Sequence, residues 1–314
     1  MMELMTTAFA TALLAGAVTA GVPLLLAGLG EQMSQKSGVL NIGLEGMMLA
    51  GAYAAFVAAL GTGDPWWGFA AGMVAGMGIA ALMALLAVCL GLNQIVIGIA
   101  LLLGVEGATA ILHHLAFATT YPRLPPAPSW ALPGLSHLPV VGPALFDRSP
   151  VVYAAVALVA VMVWIDRRTG FGLSLRAAGE HPSALDAAGG SVVRTRVAAV
   201  LAAGAGAGLG GAFMVIVGAG IFVPFMTNGA GFIAIVLAML ARGRPLMVLC
   251  GALLFGACLS ATTALQVAGI DAPTDVVQML PFAAVLLVLA IFGQGGALPA
   301  ALGEAWTRGN PLGK

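Results

Sequence analysis

Charged residues are scarce in this chain of 314 residues: they make up 8% of it, against about 25% in an ordinary soluble domain. Twelve basic residues balance twelve acidic ones, so the overall charge does not indicate a nucleic-acid partner. Cysteine is also rare. Cys89, Cys250 and Cys258 lie in or beside apolar runs without C-x-x-C spacing, which argues against a zinc or dithiol motif. We expect them to be small core residues.

Hydrophobic residues, by contrast, make up 61% of the chain, and the mean hydropathy is +1.06. Since a span needs about 20 apolar residues, the apolar runs supply about nine transmembrane helices, with eight and ten as alternatives. The sequence predicts an all-α, polytopic integral membrane protein with a single transmembrane domain over residues 1–314. The predicted spans are 8–29, 39–60, 67–90, 94–112, 151–165, 197–217, 229–241, 246–265 and 276–293.

Glycine is abundant, at 44 residues. Small residues let helix backbones approach closely in lipid, where no hydrophobic force drives helices together. The pairs Gly72/Gly76 and Gly204/Gly208 have the four-residue spacing that places both members on one helix face. We therefore expect helix contacts at these pairs.

Orientation follows from Lys and Arg in the short loops, which are enriched on the cytoplasmic side. An amino terminus on the outside places ten of the twelve basic residues inside and leaves only Arg123 and Arg148 outside. The carboxyl terminus is then inside as well. In this arrangement the proline-rich segment 113–149 is extracytoplasmic, with His113 and His114 at the membrane interface, and the long loop 166–196 is cytoplasmic.

The apolar segment 38–52 carries Asn41 and Glu45, four residues apart. On a helix both would project from one face, and an acid at a span centre costs roughly 2.5 to 3.5 kcal/mol on insertion scales. Such residues usually face a bundle interior or a water-filled path. The alternative is that Glu45 caps or pairs near a helix end. Glu106, in the fourth span, is a second acid that either binds cargo or pairs with a neighbouring helix.

Three stretches carry a family resemblance. GVPLLLAGLGEQMSQKSGVLNIGLEGMMLAGA (21–52), with NIGLEG as its specific part, resembles the opening of permease subunits of nucleoside and simple-sugar ABC importers. These belong to the broader branched-chain amino-acid and ribose permease family. RAAGEHPSALDAAG (176–189) is similar to the family's coupling segment, which docks on the ATP-hydrolysing subunit. NGAGFIAIVLAMLARGRPL (228–246) is similar to a third family segment.

The resemblance implies the transmembrane permease subunit of an ATP-driven importer, with nucleosides as the favoured cargo, in the cytoplasmic (inner) membrane. It would work by alternating access. The implied partners are an ATP-binding ABC subunit, a second permease subunit, an extracytoplasmic substrate-binding protein and a small-molecule substrate. The expected ATPase-coupling residues are Arg176, Glu180, Pro182, Ala184, Leu185, Asp186 and Gly189.

Nucleotide hydrolysis is not expected of this chain itself. Its nearest approach to a P-loop, GNPLGK at 309–314, is one residue short and lacks the Ser or Thr that holds magnesium. ATP and magnesium would therefore belong to the partner subunit, and we expect no cofactor here. Within the coupling segment, Pro182 and the Gly189-Gly190 pair predict a short helix over Ser183 to Ala188.

A neutral, polar cargo needs amides, hydroxyls and an occasional aromatic ring along its path. The alternative function is an ion-coupled secondary transporter of a small polar solute, in which an acid such as Glu45 or Glu106 binds a proton or sodium ion and inverted repeats are expected. The two halves of the chain are only weakly similar. An intramembrane enzyme would need a nucleophile with a base, or a metal cluster, and neither pattern is present. The candidate path residues are Asn41, Glu45, Glu106, Asn228, Phe232 and Thr262.

Overall fold

The computed structural model describes residues 7–131, 140–267 and 298–307, together with a few residues within the gaps. Helices dominate, because a backbone in lipid must satisfy its own hydrogen bonds. Two helices, α3 and α9, continue as π-helices over Ala84–Cys89 and Met214–Ala219. The helices are α1 Thr7–Lys36, α2 Leu44–Thr62, α3 Pro65–Met83, α4 Gln94–Phe117, α5 Val141–Leu145, α6 Pro150–Arg168, α7 Gly170–Glu180, α8 Pro182–Ala187, α9 Val192–Phe213, α10 Ala230–Leu240 and α11 Pro245–Val267.

Six of these helices are long and apolar enough to cross a membrane: α1, α2, α3, α4, α6 and α9, the third and the last counted with their π-helical continuations. α10 and the apolar part of α11 are shorter. The all-α, polytopic fold class is thereby confirmed. The predicted span 276–293 lies outside the described residues.

α1 continues to Lys36, whereas the predicted first span ends at residue 29. The predicted spans leave residues 30–38 as a loop, but Glu31, Gln32 and Gln35 are almost fully buried in the last turns of the helix. The Gln35 amide donates to Glu31 Oε1 at 3.1 Å and to the carbonyl of Ile235 at 3.2 Å. Hydropathy alone gives no sign of such partners, and the predicted loop was wrong.

α2 begins at Leu44, so Asn41 lies in the linker that precedes the helix. The N–H group of Leu40 donates to Gln94 Oε1 at 2.8 Å, which holds this linker against the start of α4. Glu45 is the second residue of α2. The prediction that Asn41 and Glu45 share a helix face was therefore wrong.

The centre of the bundle is α9, which packs against α1, α2 and α3. The predicted glycine pairs mark its closest approach to α3. A Cβ atom on Gly72 would lie 3.1 Å from the carbonyl oxygen of Gly208, and one on Gly76 would lie 2.7 Å from Gly208 Cα. A Cβ atom on Gly204 would lie 2.6 Å from the carbonyl oxygen of Gly76. No side chain fits at these positions, and the predicted glycine contacts are confirmed.

The proline-rich segment begins later than predicted, because α4 extends to Phe117 and includes both histidines of 113–114. His113 is buried, and its ring stacks on Tyr121 with 5.2 Å between the centroids. Beyond α4, the described residues form a mainly non-helical cap. Its two strands, β1 Trp130–Ala131 and β2 Asp147–Arg148, pair antiparallel with Trp130 opposite Arg148.

The cysteines are not core residues. Cys89 and Cys250 are exposed on the outside of the bundle, and Cys258 is partly exposed. Lipid tails are as apolar as a leucine side chain. An apolar run therefore does not distinguish the protein core from a lipid-facing surface, and this explains the error.

One end of the bundle carries most of the described basic residues, and we call it the basic end. Lys36 at the end of α1 forms an ion pair with Asp166 of α6, and Arg176 of α7 donates to the Asp166 carbonyl at 2.7 Å. The cap lies at the opposite end, where Leu124 N–H donates to the carbonyl of Gly220 at 2.8 Å. The basic end carries Lys36, Arg167, Arg168, Arg176, Arg194, Arg196, Arg242 and Arg244, whereas Arg123 and Arg148 belong to the cap.

Candidate functional site

α10 is a short apolar helix that follows a non-helical stretch at 220–229. Its 11 residues span about 16 Å at 1.5 Å per residue, which is about half of a hydrocarbon layer of roughly 30 Å. α10 ends at the basic end, where a Cβ atom on Gly243 would lie 2.7 Å from Lys36 Cε, so its amino terminus lies deep within the bundle. The free N–H groups at that terminus need partners from the protein.

Glu45 supplies these partners from α2. The Gly229 N–H group donates to Oε1 at 2.9 Å, and the Gly231 N–H group donates to Oε2 at 2.5 Å. The residue is 3% exposed, and its negative charge is favoured at the positive end of the helix dipole. A Cβ atom on Gly231 would lie 2.5 Å from Glu45 Cα, so only glycine permits this approach. Glu45 thus caps a helix, as the alternative interpretation held, but the helix is α10.

Asn41 belongs to a second buried cluster, with Glu31 of α1. Its backbone N–H group donates to Glu31 Oε1 at 3.4 Å, and its side-chain amide donates to the sulfur of Met47 at 3.3 Å. Within the described residues, Glu31 Oε2, Asn41 Oδ1 and Gln32 Nε2 have no hydrogen-bond partner. Buried polar atoms usually pair with protein groups or with ordered water, and each exception calls for an explanation. This polar cluster is therefore a functional candidate that packing alone does not explain.

The other path candidates are dispersed. Glu106 is half-buried in α4, and its carboxylate has no ion pair with a described residue. Asn228 is exposed, with a φ of 43°, in the turn that leads to α10. Phe232 is 42% exposed on α10. Thr262 lies in α11, and its side chain is outside the described part of the chain. The structure brings Glu45 to the start of α10, beside Asn228, and does not join the rest into one site.

The predicted helix of the coupling segment is present as α8, Pro182–Ala187. Pro182 occupies the first turn, and Gly189, with a φ of 82°, follows the end of the helix. These are the positions that proline and glycine favour at helix ends. The sequence therefore placed this helix to within one residue.

The coupling segment presents one face outward and anchors the other. Leu185 is buried against Ala178 and Val192, and Trp306 packs on the same cluster. Leu185 is thus an anchor of the segment, whereas the exposed members of the predicted coupling set are available to a partner. Those are Arg176, Glu180, Ala184 and Gly189, with Pro182 and Asp186 partly exposed.

A cavity of about 630 Å³ opens at the basic end beside the coupling segment. Its volume lies within the range of small-molecule clefts, about 300 to 1,000 Å³. α1 lines one wall with residues of the buried polar cluster, and the α10–α11 turn lines the other. The polar lining residues are Gln32, Gln35, Lys36, Asp166, Arg167, Arg176, Glu180, Arg242 and Arg244.

Sequence reasoning missed Glu31, Gln32 and Arg196, which it assigned to loops. A signal for the first two was present: Glu31 and Gln35 have the four-residue spacing of a helix face and continue an apolar helix without a proline or a turn signal. Nothing in the local pattern marks Arg196 as buried, because its partners come from distant parts of the chain. The described residues contain no group of side chains suited to hold a metal ion.

A polytopic bundle with a half-helix inside it is typical of membrane transport proteins. Comparison with known proteins identifies the family. Residues 11–289 match the model of the branched-chain amino acid transport system/permease component. The chain belongs to this permease family, and the resemblance inferred from its sequence is confirmed. It is a multi-pass membrane protein and a permease of the ABC importer class.

Several similar proteins are named as ABC transporter permeases. The putative glucose ABC transporter permease protein TsgC13 of Haloferax volcanii is 40% identical over 79% of this chain and 76% of its own length. The guanosine ABC transporter permease protein NupQ of Bacillus subtilis is 33% identical over 91% of this chain and 93% of its own. The nucleoside ABC transporter permease protein NupC of Lactococcus lactis is 31% identical over 86% and 88%.

Proposed function

We propose that this chain is the transmembrane subunit of an ATP-driven importer of nucleosides. The observation that supports nucleosides as the cargo is the similarity to the guanosine permease NupQ. The matching region covers 91% of this chain and 93% of the relative. The glucose permease relative has a higher identity, 40%, over a smaller share of both chains. Simple sugars are therefore the second candidate cargo.

The complex contains a second, homologous permease subunit. Two nucleoside ABC transporter permeases of Lactococcus lactis, NupC and NupB, both match this chain, as do two glucose permeases of Haloferax volcanii. Such pairs favour a heterodimer of related chains over a homodimer. An extracytoplasmic binding protein delivers the cargo, and a separate ATP-binding subunit holds ATP and magnesium.

The basic end faces the cytoplasm, since positively charged loops favour that side. The amino terminus is then outside and the carboxyl terminus inside. The ATPase docks on the exposed face of α7 and α8, between Gly170 and Ala187. The adjacent cavity extends this surface to the α10–α11 turn, where Arg242 and Arg244 are exposed. Closure of the ATPase pair moves the coupling segment, and the permeases reorient around the path.

In this mechanism Glu45 supports the path because it caps the start of α10, and it is not an ion carrier. Both of its oxygens accept backbone N–H groups, so protonation would release at least one of them inside the bundle, at about 1 to 3 kcal/mol for an unpaired buried donor. The ion-coupled alternative therefore has to act through another acid, of which Glu106 and Glu31 are the described candidates.

The test is reconstitution of the permease pair in liposomes with the binding protein, with and without the ATPase subunit. Radiolabelled guanosine and radiolabelled glucose are offered separately. We expect guanosine uptake that requires both ATPase and ATP and that persists when ionophores remove the proton and sodium gradients. Uptake without ATPase that follows an ion gradient would contradict the proposal, and ATP-dependent uptake of glucose alone would change the cargo.

A further inference from the structure

Arg196 is a buried cation in the second turn of α9. It is 2% exposed, and no acidic side chain forms an ion pair with it among the described residues. A buried charge is costly unless its hydrogen-bonding groups are satisfied. A guanidinium group carries five N–H donors in a rigid, planar fork, so its acceptors show what holds it in place.

Three backbone carbonyls, from three separate parts of the chain, accept from this fork. Nε donates at 3.0 Å to the carbonyl of Ser37, which lies in the linker after α1. Nη2 donates at 3.3 Å to the carbonyl of Ala178 in α7. Nη1 donates to Glu304 at 2.7 Å. Arg196 therefore joins α9, the end of α1, the coupling segment and a segment near the carboxyl terminus.

That last segment, residues 298–307, lies across the same junction, and we call it the strap. Ala301 N–H donates to the carbonyl of Gly179 at 2.8 Å, and Gly303 N–H donates to the carbonyl of Gly38 at 3.0 Å. Trp306 packs on the cluster that contains Leu185 of α8. The strap thus touches the coupling segment and the α1–α2 linker through its backbone as well as through its apolar side chain.

The coupling segment and α1 also meet directly. A Cβ atom on Gly179 would clash with the carbonyl oxygen of Lys36 and would lie 3.2 Å from Gly38 N. A Cβ atom on Gly38, which has a φ of 91°, would lie 2.8 Å from Nη2 of Arg196. The two glycines let three backbones converge on one guanidinium group, with no space for a larger side chain between them.

We infer that Arg196 is a positioning residue for energy coupling: with the strap, it fixes the coupling segment to α1 and α9, so that the three move as one unit. α9 packs against α1, α2 and α3, and a displacement passed to it reaches the centre of the bundle. The inference rests on the proposed role of α7 and α8 as the ATPase contact. Without the junction, the ATPase would move the coupling segment alone.

R196K is the test variant, because Lys keeps the charge but lacks the planar fork that reaches three carbonyls. R194K, on the exposed side of the same helix, is the matched control. W306A should loosen the strap without a change in the bundle core. It is the second test variant, for use if R196K fails to assemble. Hydrogen–deuterium exchange of the purified chain in nanodiscs reports on the junction itself. Guanosine uptake per ATP hydrolysed, in the reconstituted complex, reports on coupling.

We expect R196K and W306A to raise exchange in both 170–187 and 298–307, and R194K to match the parent. Guanosine uptake per ATP should fall by about fivefold or more, the lower end of ordinary coupling between sites, while ATP hydrolysis continues. Unchanged exchange in 170–187, or uptake and hydrolysis that fall in proportion, would overturn the inference. If the parent complex transports without ATPase, the proposed function fails instead, and the exchange result still decides whether the junction exists.

Discussion

Replacement of Glu45 by Gln keeps the length of the side chain but changes what it offers to α10. The carboxylate accepts one backbone N–H group on each oxygen. An amide has one oxygen, and its NH₂ group would face the other N–H group. One buried donor at the start of α10 is then left unpaired, and the negative charge near the positive end of the helix is lost.

The two losses have known sizes. An unpaired buried donor costs about 1 to 3 kcal/mol, and a charge at a helix end contributes about 0.3 to 1 kcal/mol. We expect Glu45→Gln to lower the free energy of unfolding by about 2 to 3 kcal/mol. Glu45→Leu leaves both donors unpaired and should cost about twice as much. At roughly 2 °C per kcal/mol for a large chain, Tm falls by about 4 to 6 °C for Gln.

Thermal unfolding of the purified chain in nanodiscs, followed by tryptophan fluorescence, measures this difference. Glu106→Gln is the matched control, since Glu106 is half-buried and makes no ion pair with a described residue. Its Tm should stay within about 1 °C of the parent. Uptake by the assembled complex should follow the same order, with Gln above Leu. A Tm for Glu45→Leu equal to that of the parent would refute the capping role.

Three further substitutions, one of them with a control, test other parts of the molecule. Ala184→Arg puts bulk and charge on the exposed face of α8 and should abolish co-purification with the ATPase while Tm is unchanged; retained assembly would exclude this face. A Cβ atom on Gly208 would clash with Gly72 of α3, so Gly208→Ala should push α9 away from α3 and lower Tm. Gly107→Ala is the control, because a Cβ atom there meets nothing within 4 Å. It should stabilise α4 by up to about 1 kcal/mol. Glu31→Gln removes an unpaired buried oxygen and should retain guanosine uptake; its loss would favour ion coupling.

The features that the sequence predicted correctly depend on local signals. Gly72 and Gly76 were predicted to lie at a helix contact because small residues at helical spacing let backbones approach closely in lipid. The structure places them against the facing helix. α8 begins and ends where Pro182 and Gly189 place it. Both cases need only the chemistry of neighbouring residues. The same holds for the fold class, which follows from the length and number of the apolar runs.

The errors share a different cause. The alternative that Glu45 caps near a helix end agrees with the structure, but its partner Gly229 is 184 positions away in the chain, and no local pattern indicates the pair. Arg196 and Ser37 are 159 positions apart. Polar residues at the ends of apolar runs were interpreted as loops because hydropathy treats a polar side chain as one that needs water. In this bundle, backbone groups from distant helices take the place of water.

The use of backbone groups in place of water as hydrogen-bond partners also bears on the mechanism. The first N–H groups of a half-helix have no partners within the helix, and inside the membrane such groups attract an anion. Glu45 fills that position with a carboxylate of the protein itself, so the start of α10 offers no free positive end to a charged cargo. A path beside this terminus therefore favours neutral, hydrogen-bonding molecules over carboxylates and phosphates. Nucleosides and simple sugars are molecules of that kind, and the capped helix agrees with the cargo that the relatives suggest.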